Sequence, residues 1–456
     1  MSTSSAEHPP GLENFGYHEQ LRRALSTRDL IVYGMIFMVP IAPYAIYGFV
    51  WDVSKGMVPL AYLLGLVGML FTAMSYAAMS RAFPVAGSVY TYAQRALNEV
   101  AGFFAGWLIL LDYILIPALL YLVSAVALQP LITGVPEWAW LVGFIIFNAV
   151  VNLIGIQFTA RVNWYMLIME LLTLALFVGV GLHALHAGQG AGRLTLTPIY
   201  NPQVFSLATV AGATSIAVLS FLGFDGISTL AEESRGGQNS VGRATLWSLL
   251  LVGVLFMLQT WIATDLAQGM HFSSAATAFY EICERAGGPG LRLVAVIATV
   301  ISAGIANAMA AQAAVSRILF AMARDGKLPA ALARVHPRYR TPYVSTLVVA
   351  GISLLVGVFF SHRLEVLADV VNFGALSSFL LLHLSVVRHY LVRERSGRWV
   401  QHLLCPLAGF LVIAYVLLEM DRSAKILGGC WLLIGIVYYA VLAGVLKKSA
   451  ALEVRV

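Results

Sequence analysis

Charged side chains are scarce in this chain. Only 11% of its 456 residues are Asp, Glu, Lys or Arg, whereas 60% are hydrophobic. Soluble globular proteins carry about 25% charged residues, so this composition excludes a soluble globular chain. The sequence therefore predicts a protein that crosses a membrane many times.

Cysteine is also scarce, and its placement indicates neither a metal centre nor a redox site. Cys283, Cys405 and Cys430 have no metal-ligand or redox spacing, so we expect free thiols. No nucleophile with a neighbouring base and no phosphate-binding loop is visible, which disfavours a membrane enzyme. We therefore expect no cofactor, no bound metal and no catalytic residue.

The apolar residues fall into twelve runs, each of roughly the 20 residues that a helix needs to cross a bilayer. Most of the 28 Lys and Arg residues lie in the two termini and in alternate loops, so the positive-inside rule predicts that both termini are cytoplasmic. The net charge of +6 follows from this topology and does not indicate nucleic acid binding. The polar tails are 1–28 and 447–456, and no cleavable leader is expected at the start.

The sixth run is interrupted near its middle, in the stretch SFLGFDGISTLAEES at residues 220–234. Gly223 and Gly226 flank Asp225 there. A broken helix inside a membrane is tolerated only where it faces protein or a water-filled cavity, and an ionisable residue there indicates a functional site. The alternative is a close helix contact that the glycines permit, with the aspartate at a helix end.

The first run carries a second interruption, MVPIAPYAIYG, with Pro40 and Pro43 close to its centre. Each proline removes a backbone N–H and clashes with the preceding turn, which predicts a kink or a short unwound piece. The twelve runs contain two blocks of five, at residues 29–185 and 205–390. Each break lies in the first run of its block. Interrupted helices at matching positions of two halves are typical of inverted-repeat transporters with a site at the midplane.

Two polar connections have recognisable patterns. Pro84 and Gly87 break the chain after the second run, and Tyr90 opens a short helix that we expect at the membrane surface. Asp325 and Gly326 form a turn after the eighth run, followed by a basic amphipathic piece. Taken alone, either segment is equally compatible with a solvated loop.

Four segments carry a resemblance to a known family. They are FPVAGSVYTYAQRAL after the second run, GWLILLDYILIP in the third, GFDGISTLAEES in the sixth, and SRILFAMARDGKLP with VHPRYRTP after the eighth. The chain resembles the amino acid-polyamine-organocation permeases from about residue 22 to residue 445, and looks closest to the bacterial putrescine importers among them.

The resemblance implies an all-α polytopic membrane protein of the leucine-transporter fold, located in a bacterial cytoplasmic membrane. Twelve transmembrane helices are then arranged as a 5+5 inverted repeat plus two C-terminal helices at 403–446. Helices 1 and 6 are discontinuous in this fold, and alternating access takes place about them.

The chain departs from the family pattern at two places, one in the first helix and one in the loop after the sixth. Many of these amino-acid permeases have a glycine-serine-glycine type break in the first helix, whose N–H groups hold the substrate carboxylate. This chain has Pro40, Ile41, Ala42 and Pro43 there instead. The loop ESRGGQNSVGRA also lacks the proline that is familiar after the sixth helix.

Three carboxylates lie well inside apolar runs: Asp112, Glu170 and Asp225. No lysine accompanies them, because every lysine lies in a loop, a tail or at the edge of a run (Lys55, Lys327, Lys425, Lys447 and Lys448). A buried carboxylate without a cation is driven towards its protonated form. This pattern predicts a cationic substrate, a coupling proton, or both.

Our interpretation is a secondary active transporter that imports a small organic cation, a putrescine-like polyamine, by proton symport. An alkyl diamine has two ammonium groups and no carboxylate, and aromatic rings can face an ammonium through cation–π contact. For each aromatic residue, lipid contact or helix packing is the alternative. The candidate substrate-binding residues are Pro40, Ile41, Ala42, Pro43, Tyr44, Asp112, Tyr113, Phe221, Gly223, Phe224, Asp225 and Gly226.

Glu170 is the candidate proton-coupling residue, because it aligns with a membrane-embedded lysine of some proton-coupled relatives. The alternative is a protonated glutamate that hydrogen-bonds a neighbouring helix. Asp112 also has a structural alternative, which is to bond backbone groups freed by Pro117. For Ser302 and Asn307 in the alanine-rich eighth run, hydrogen bonding between helices is the default expectation.

Two rival functions stay open. A proton-coupled amino-acid permease would hold a carboxylate at the ends of the broken helices despite the prolines. A non-transporting membrane sensor on a transporter scaffold would need an added soluble domain, and the short tails offer none. The expected partners are a small amine or amino acid, protons and membrane lipids.

Overall fold

The computed structural model describes residues 25–83, 88–154, 160–235, 239–324 and 328–453. All the secondary-structure elements in these ranges are helices. The turns expected at Pro84 with Gly87 and at Asp325 with Gly326 lie outside the described residues, as does the N-terminal tail up to residue 24. Within the described ranges the prediction of an all-α chain is confirmed.

Fifteen α-helices occur in the described residues. They are α1 Thr27–Met38, α2 Pro43–Ser54, α3 Val58–Ala82, α4 Ser88–Ala96, α5 Glu99–Leu128, α6 Glu137–Ile154, α7 Ala160–His186, α8 Leu207–Ala217, α9 Ser240–Ala267, α10 Ala278–Thr299, α11 Ala308–Arg324, α12 Tyr343–Phe359, α13 Leu364–Val387, α14 Cys405–Glu419 and α15 Arg422–Glu453. Two further segments matter below: a 3₁₀-helix over Phe224–Glu233 and a π-helix over Val300–Asn307.

The described helices are long and apolar enough for a polytopic membrane protein. Nine of the helical segments can cross a membrane, or up to eleven if each of two bent helix pairs forms one span. The apolar helix α12 is shorter than these, with 17 residues. The exact number of twelve spans and the 5+5 inverted repeat stay predictions.

Several helices begin where a polar side chain binds exposed backbone N–H groups. The Ser26 hydroxyl accepts from the Asp29 N–H, and Asp29 in turn accepts from the Ser26 N–H, which forms a capping box at α1. Asn98 caps α5 by accepting from the Ala101 N–H at 2.8 Å. These caps fix where the chain enters each helix.

Helix α5 lies at the centre of the bundle and packs along α13. Gly374 makes this contact close, because a Cβ there would lie 2.7 Å from the Leu108 carbonyl oxygen and 3.0 Å from the Asp112 nitrogen. A side chain at this position would push the two helices apart. The packing therefore fixes the position of Asp112 in the bundle.

The short helix expected after the second run is present as α4. It buries Val89, Tyr92 and Ala93 and packs against α5 and α13. Arg388 also donates from Nε to the Ala96 carbonyl at 3.1 Å, which ties α4 to the end of α13. Its position at a membrane surface stays a prediction.

Candidate functional site

The first predicted break is present between α1 and α2, whose axes differ by 57°. Val39 has a φ of 52°, Pro43 opens α2, and the turn between them contains Pro40. Gln259 on α9 donates from Nε2 to the freed Pro40 carbonyl at 2.9 Å. The break is thus an ordered turn, in which the Gln259 side chain of a neighbouring helix supplies a hydrogen bond that the backbone does not make.

The turn offers few backbone donors to a ligand. Pro40 and Pro43 have no N–H, and the N–H of Ala42 donates to the Val39 carbonyl at 2.7 Å. The N–H groups of the next two residues, Tyr44 and Ala45, also donate to carbonyls within the turn. Between residues 40 and 45 this leaves at most the N–H of residue 41 for a substrate carboxylate.

The second predicted break lies between α8 and the 3₁₀-helix Phe224–Glu233, with a bend of 41°. Gly223 has a φ of 109°, a conformation that side chains with a Cβ rarely adopt. A Cβ on Gly223 would also lie 3.0 Å from both Cβ and the carbonyl oxygen of Phe37 on α1. Glycine is therefore required here both for backbone conformation and for contact between the two broken spans.

Asp225 lies in the first turn after this break and is 3% exposed. The Tyr113 hydroxyl donates to Asp225 Oδ2 at 3.0 Å. The start of a helix carries partial positive charge, which favours an acidic side chain in that turn. This carboxylate therefore occupies the end of the broken helix where an incoming anion would otherwise bind.

Asp112 is the second buried carboxylate of this region, with 4% exposure. Its Oδ1 has no hydrogen-bond partner among the described residues, and the next residue, Tyr113, donates to Asp225, so the two acids lie in the same region. An unpaired buried oxygen beside a second acid is costly. A cation would relieve both the missing hydrogen bond and the repulsion between the two acids.

A cavity of about 220 Å³ lies between the two breaks, α5, the π-helix and α11. We call it the central cavity. The described residues that line it include two carboxylates and no Lys, Arg or His, and most of its wall is apolar, for example Ile116, Leu120 and Val123. Seven predicted site residues line it: Ile41, Ala42, Asp112, Tyr113, Gly223, Asp225 and Gly226.

Five other predicted site residues do not line the central cavity: Pro40, Pro43, Tyr44, Phe221 and Phe224. Tyr44 stacks on Phe279 with a 4.0 Å separation of ring centroids. Phe221 packs edge to face on Phe256, and Phe224 does so on Tyr76. All three rings are fully buried between helices. They therefore pack between helices, which was the alternative to substrate contact.

Glu170, the predicted proton-coupling residue, lines a different cavity of about 370 Å³. We call it the Glu170 cavity; Ser302 and Arg317 also line it. Glu170 is 2% exposed, and its Oε2 has no hydrogen-bond partner among the described residues. The two cavities share five lining residues: Phe37, Thr229, Ser302, Asn307 and Ala314.

Sequence reasoning did not identify Phe37 or Ser302 as site residues. Phe37 is one of many aromatics in apolar runs, and no local pattern marks it. Ser302 lies in the π-helix, and such π-helical turns frequently occur at functional sites. Two further buried acids, Asp265 and Asp369, accept hydrogen bonds from Thr195 and Ser215 and do not line either cavity.

The chain matches a family model described as amino acid permease over residues 45–420. It is 31% identical over 428 residues to the low-affinity putrescine importer PlaP of Escherichia coli K12, covering 92% of this chain and 94% of that protein. It is 26% identical to the branched-chain amino acid permease BcaP of Bacillus subtilis 168, covering 92% and 93%. The methylthioribose transporter of the same organism is 25% identical, with 81% of each chain covered.

Proposed function

Because the chain belongs to the amino acid permease family, whose members it matches along most of its length, we propose that it imports a small organic cation of the putrescine type by proton symport. It is a multi-pass membrane transporter by that membership. The substrate, the coupling ion and the residues assigned to them below are our proposal. The 31% identity to a putrescine importer supports the choice of substrate.

The observation that carries the proposal is the charge of the central cavity. Asp112 and Asp225 lie in a mostly apolar pocket whose described lining contains no cationic side chain. An ammonium group bound between them would supply hydrogen bonds and offset their repulsion. The apolar wall near Ile116 and Leu120 is suited to the alkyl chain of the same ligand.

The two breaks support an amine over an amino acid. In the first break most backbone donors are absent or already used, and in the second the helix start carries Asp225. A substrate carboxylate would meet negative charge at the second break and few donors at the first. The carboxyl end of α1, which carries partial negative charge, also favours a cation in the cavity.

Glu170 is the proposed proton carrier. Among the described residues this buried carboxyl group has no cationic partner in contact, so it is best accommodated in the neutral form until its surroundings change. Its cavity lies beside Arg317 and Thr341, on the side that the loop charges assign to the cytoplasm. Alternating access within two inverted five-helix repeats, in a bacterial cytoplasmic membrane, completes the proposed mechanism.

An amino-acid permease is the second candidate, supported by the 26% identity to a branched-chain amino acid permease. Uptake of radiolabelled putrescine into proteoliposomes with an inward proton gradient separates the two. We expect diamines to compete and amino acids not to. Inhibition by amino acids alone would refute the amine proposal.

An Asp225→Asn variant tests the site within the same assay. We expect it to lose most putrescine uptake, because the buried charge that faces the ammonium is removed. Asp369→Asn is the matched control, since Asp369 is equally buried but lies outside the central cavity. Equal losses in both variants would indicate a general effect on folding and not on recognition.

A further inference from the structure

We propose that the Glu170 cavity contains a second ammonium-binding site, formed by Glu170 and Ser302, and that an ammonium group bound there releases the proton from Glu170. This inference rests on the proposed function, because it takes the same amine as the ligand of both cavities. It adds a site on the exit route and a physical reason for coupling.

The two cavities are neighbours with a shared boundary. Ser302 lines both of them, and so do Phe37, Thr229 and Asn307. A ligand that moves from the central cavity into the Glu170 cavity therefore passes Ser302. The Glu170 cavity is also the larger of the two, at about 370 Å³ against about 220 Å³, so it has room for an amine.

Two buried oxygen atoms at this boundary have no well-formed hydrogen bond. Glu170 Oε2 and Ser302 Oγ are close enough to interact with each other, but neither has a partner with hydrogen-bond geometry within the described part of the chain. They are only 2% and 1% exposed. A primary ammonium group has three N–H donors and can satisfy both atoms at once.

The backbone around Ser302 is held in a fixed, wide turn. Ser302 belongs to the π-helix Val300–Asn307, and Asn148 on α6 donates from Nδ2 to the Gly304 carbonyl at 2.8 Å. Gly304 also packs directly on Ser124, where a side chain would not fit. These contacts hold Ser302 at the boundary between the cavities.

The other charged groups around Glu170 are few. Among the described residues that line the Glu170 cavity, Arg317 on α11 is the other charged side chain and Tyr33 on α1 the other titratable one. Arg317 is exposed and lies on the last turns of α11. An ammonium group bound at Glu170 would therefore lie beside the buried Glu170 carboxyl group, and the exposed Arg317 would be the other charged side chain of the described cavity lining.

The proposed step is a proton transfer. With an ammonium ion beside it, the Glu170 carboxyl group is favoured as the carboxylate, since an opposite charge stabilises the ionised form. Its O–H bond breaks, the proton passes to water in the Glu170 cavity, and the carboxylate pairs with the ammonium ion. The amine and the proton then leave towards the same side, as symport requires.

The test measures binding and proton release together, on the full-length protein in lipid nanodiscs. Radiolabelled putrescine in equilibrium dialysis gives the number of sites, and a pH indicator in weak buffer gives the protons released. We expect wild type to bind two equivalents and to release about one proton. Glu170→Gln should bind one equivalent at the central cavity and release none, and that retained binding also reports a folded protein.

Two serine variants separate the site from its surroundings. Ser302→Ala should weaken the second binding event about tenfold, the loss expected for one hydrogen bond to a charged group. Ser316→Ala is the control, because Ser316 lies in the same cavity but its hydroxyl already donates to the Gln312 carbonyl at 2.7 Å. Its binding and proton release should match wild type.

The outcomes distinguish this inference from the proposed function. Two equivalents with unchanged proton release in Glu170→Gln would overturn the second site, and so would a wild-type protein that binds one equivalent and releases no proton; the proposed function would survive both results. A wild-type protein that binds no putrescine would overturn both proposals.

Discussion

Gly223 and Gly226 flank the same aspartate, yet the structure predicts opposite tolerance to alanine. Gly223 has a φ of 109°, and an added Cβ would lie 3.0 Å from Cβ and the carbonyl oxygen of Phe37. At Gly226 φ is not positive, and the nearest atoms to an added Cβ are in the Phe37 ring at 3.5 Å, an ordinary contact. Gly226→Ala is therefore a matched control for Gly223→Ala.

The cost of Gly223→Ala follows from the backbone. A residue held in such a sparsely populated conformation costs of the order of 1–3 kcal/mol, which corresponds to about 5- to 150-fold in an equilibrium. The contact with Phe37 adds to this cost, because backbone atoms of α1 have to move. If the substitution strains the conformation described here and not the other conformations of the transport cycle, the equilibrium between them shifts away from this one by about 5- to 150-fold.

Putrescine uptake in proteoliposomes and thermal stability in detergent measure the two effects. We expect Gly223→Ala to reduce uptake at least fivefold with lower thermal stability, and Gly226→Ala to stay within about twofold of wild type. Similar behaviour of the two variants would refute the argument that the conformation of Gly223 maintains the break. Full activity of Gly223→Ala would refute it as well.

Three further predictions concern the neighbouring groups. Tyr113→Phe removes the hydrogen bond to Asp225 but keeps the negative charge, so we expect weaker putrescine binding, by about tenfold, rather than loss, as measured by uptake at several concentrations. Gln259→Met leaves the Pro40 carbonyl without its donor and should lower the free energy of unfolding by about 1–3 kcal/mol, visible as a lower thermal midpoint without a change in substrate preference. Uptake by wild type should rise as the outside pH falls, and Glu170→Gln should lose that dependence; a variant with equally strong and equally pH-sensitive uptake would remove Glu170 as the proton carrier.

The two breaks could be predicted from the sequence because their causes are local. Proline lacks an N–H wherever it stands, and Gly223 with Gly226 marks a point where the helix opens, so the positions of both interruptions followed from residue type. Asp225 followed as well, since it lies between the two glycines. Asp225 lines the cavity because the short stretch from Gly223 to Gly226 opens there, and the sequence of that stretch alone indicates the opening.

The direction of side chains could not be predicted in the same way. Successive residues of a helix point about 100° apart, and a break shifts that rotation by an amount that the sequence does not encode locally. Asp112 and Tyr113 both line the cavity, whereas Tyr44 and Phe224 pack into neighbouring helices. The sequence thus placed these residues in or next to the broken and apolar helices, but it did not show the side to which each one turns.

The Glu170 cavity shows a second limit. Glu170 was predicted as a functional carboxyl group, but the position of its neighbour Ser302 depends on the wide π-helical turn, which contacts α5 and α6. Those contacts join residues more than 150 positions apart in the chain. Local sequence patterns carry no signal for such a turn.

The segment after the second break can change its length. It is a 3₁₀-helix of ten residues, Phe224–Glu233, although 3₁₀-helices longer than three or four residues are uncommon. A 3₁₀-helix rises about 2.0 Å per residue and an α-helix about 1.5 Å, so rewinding these residues as an α-helix would shorten the segment by roughly 5 Å. The segment is thus longer than an α-helix with the same number of residues. Asp225 lies at one end of it, and the loop before α9 follows the other end. A pair of spin labels across the segment should report a distance change of that order between states, and an unchanged distance during transport would show that the segment moves as a rigid rod.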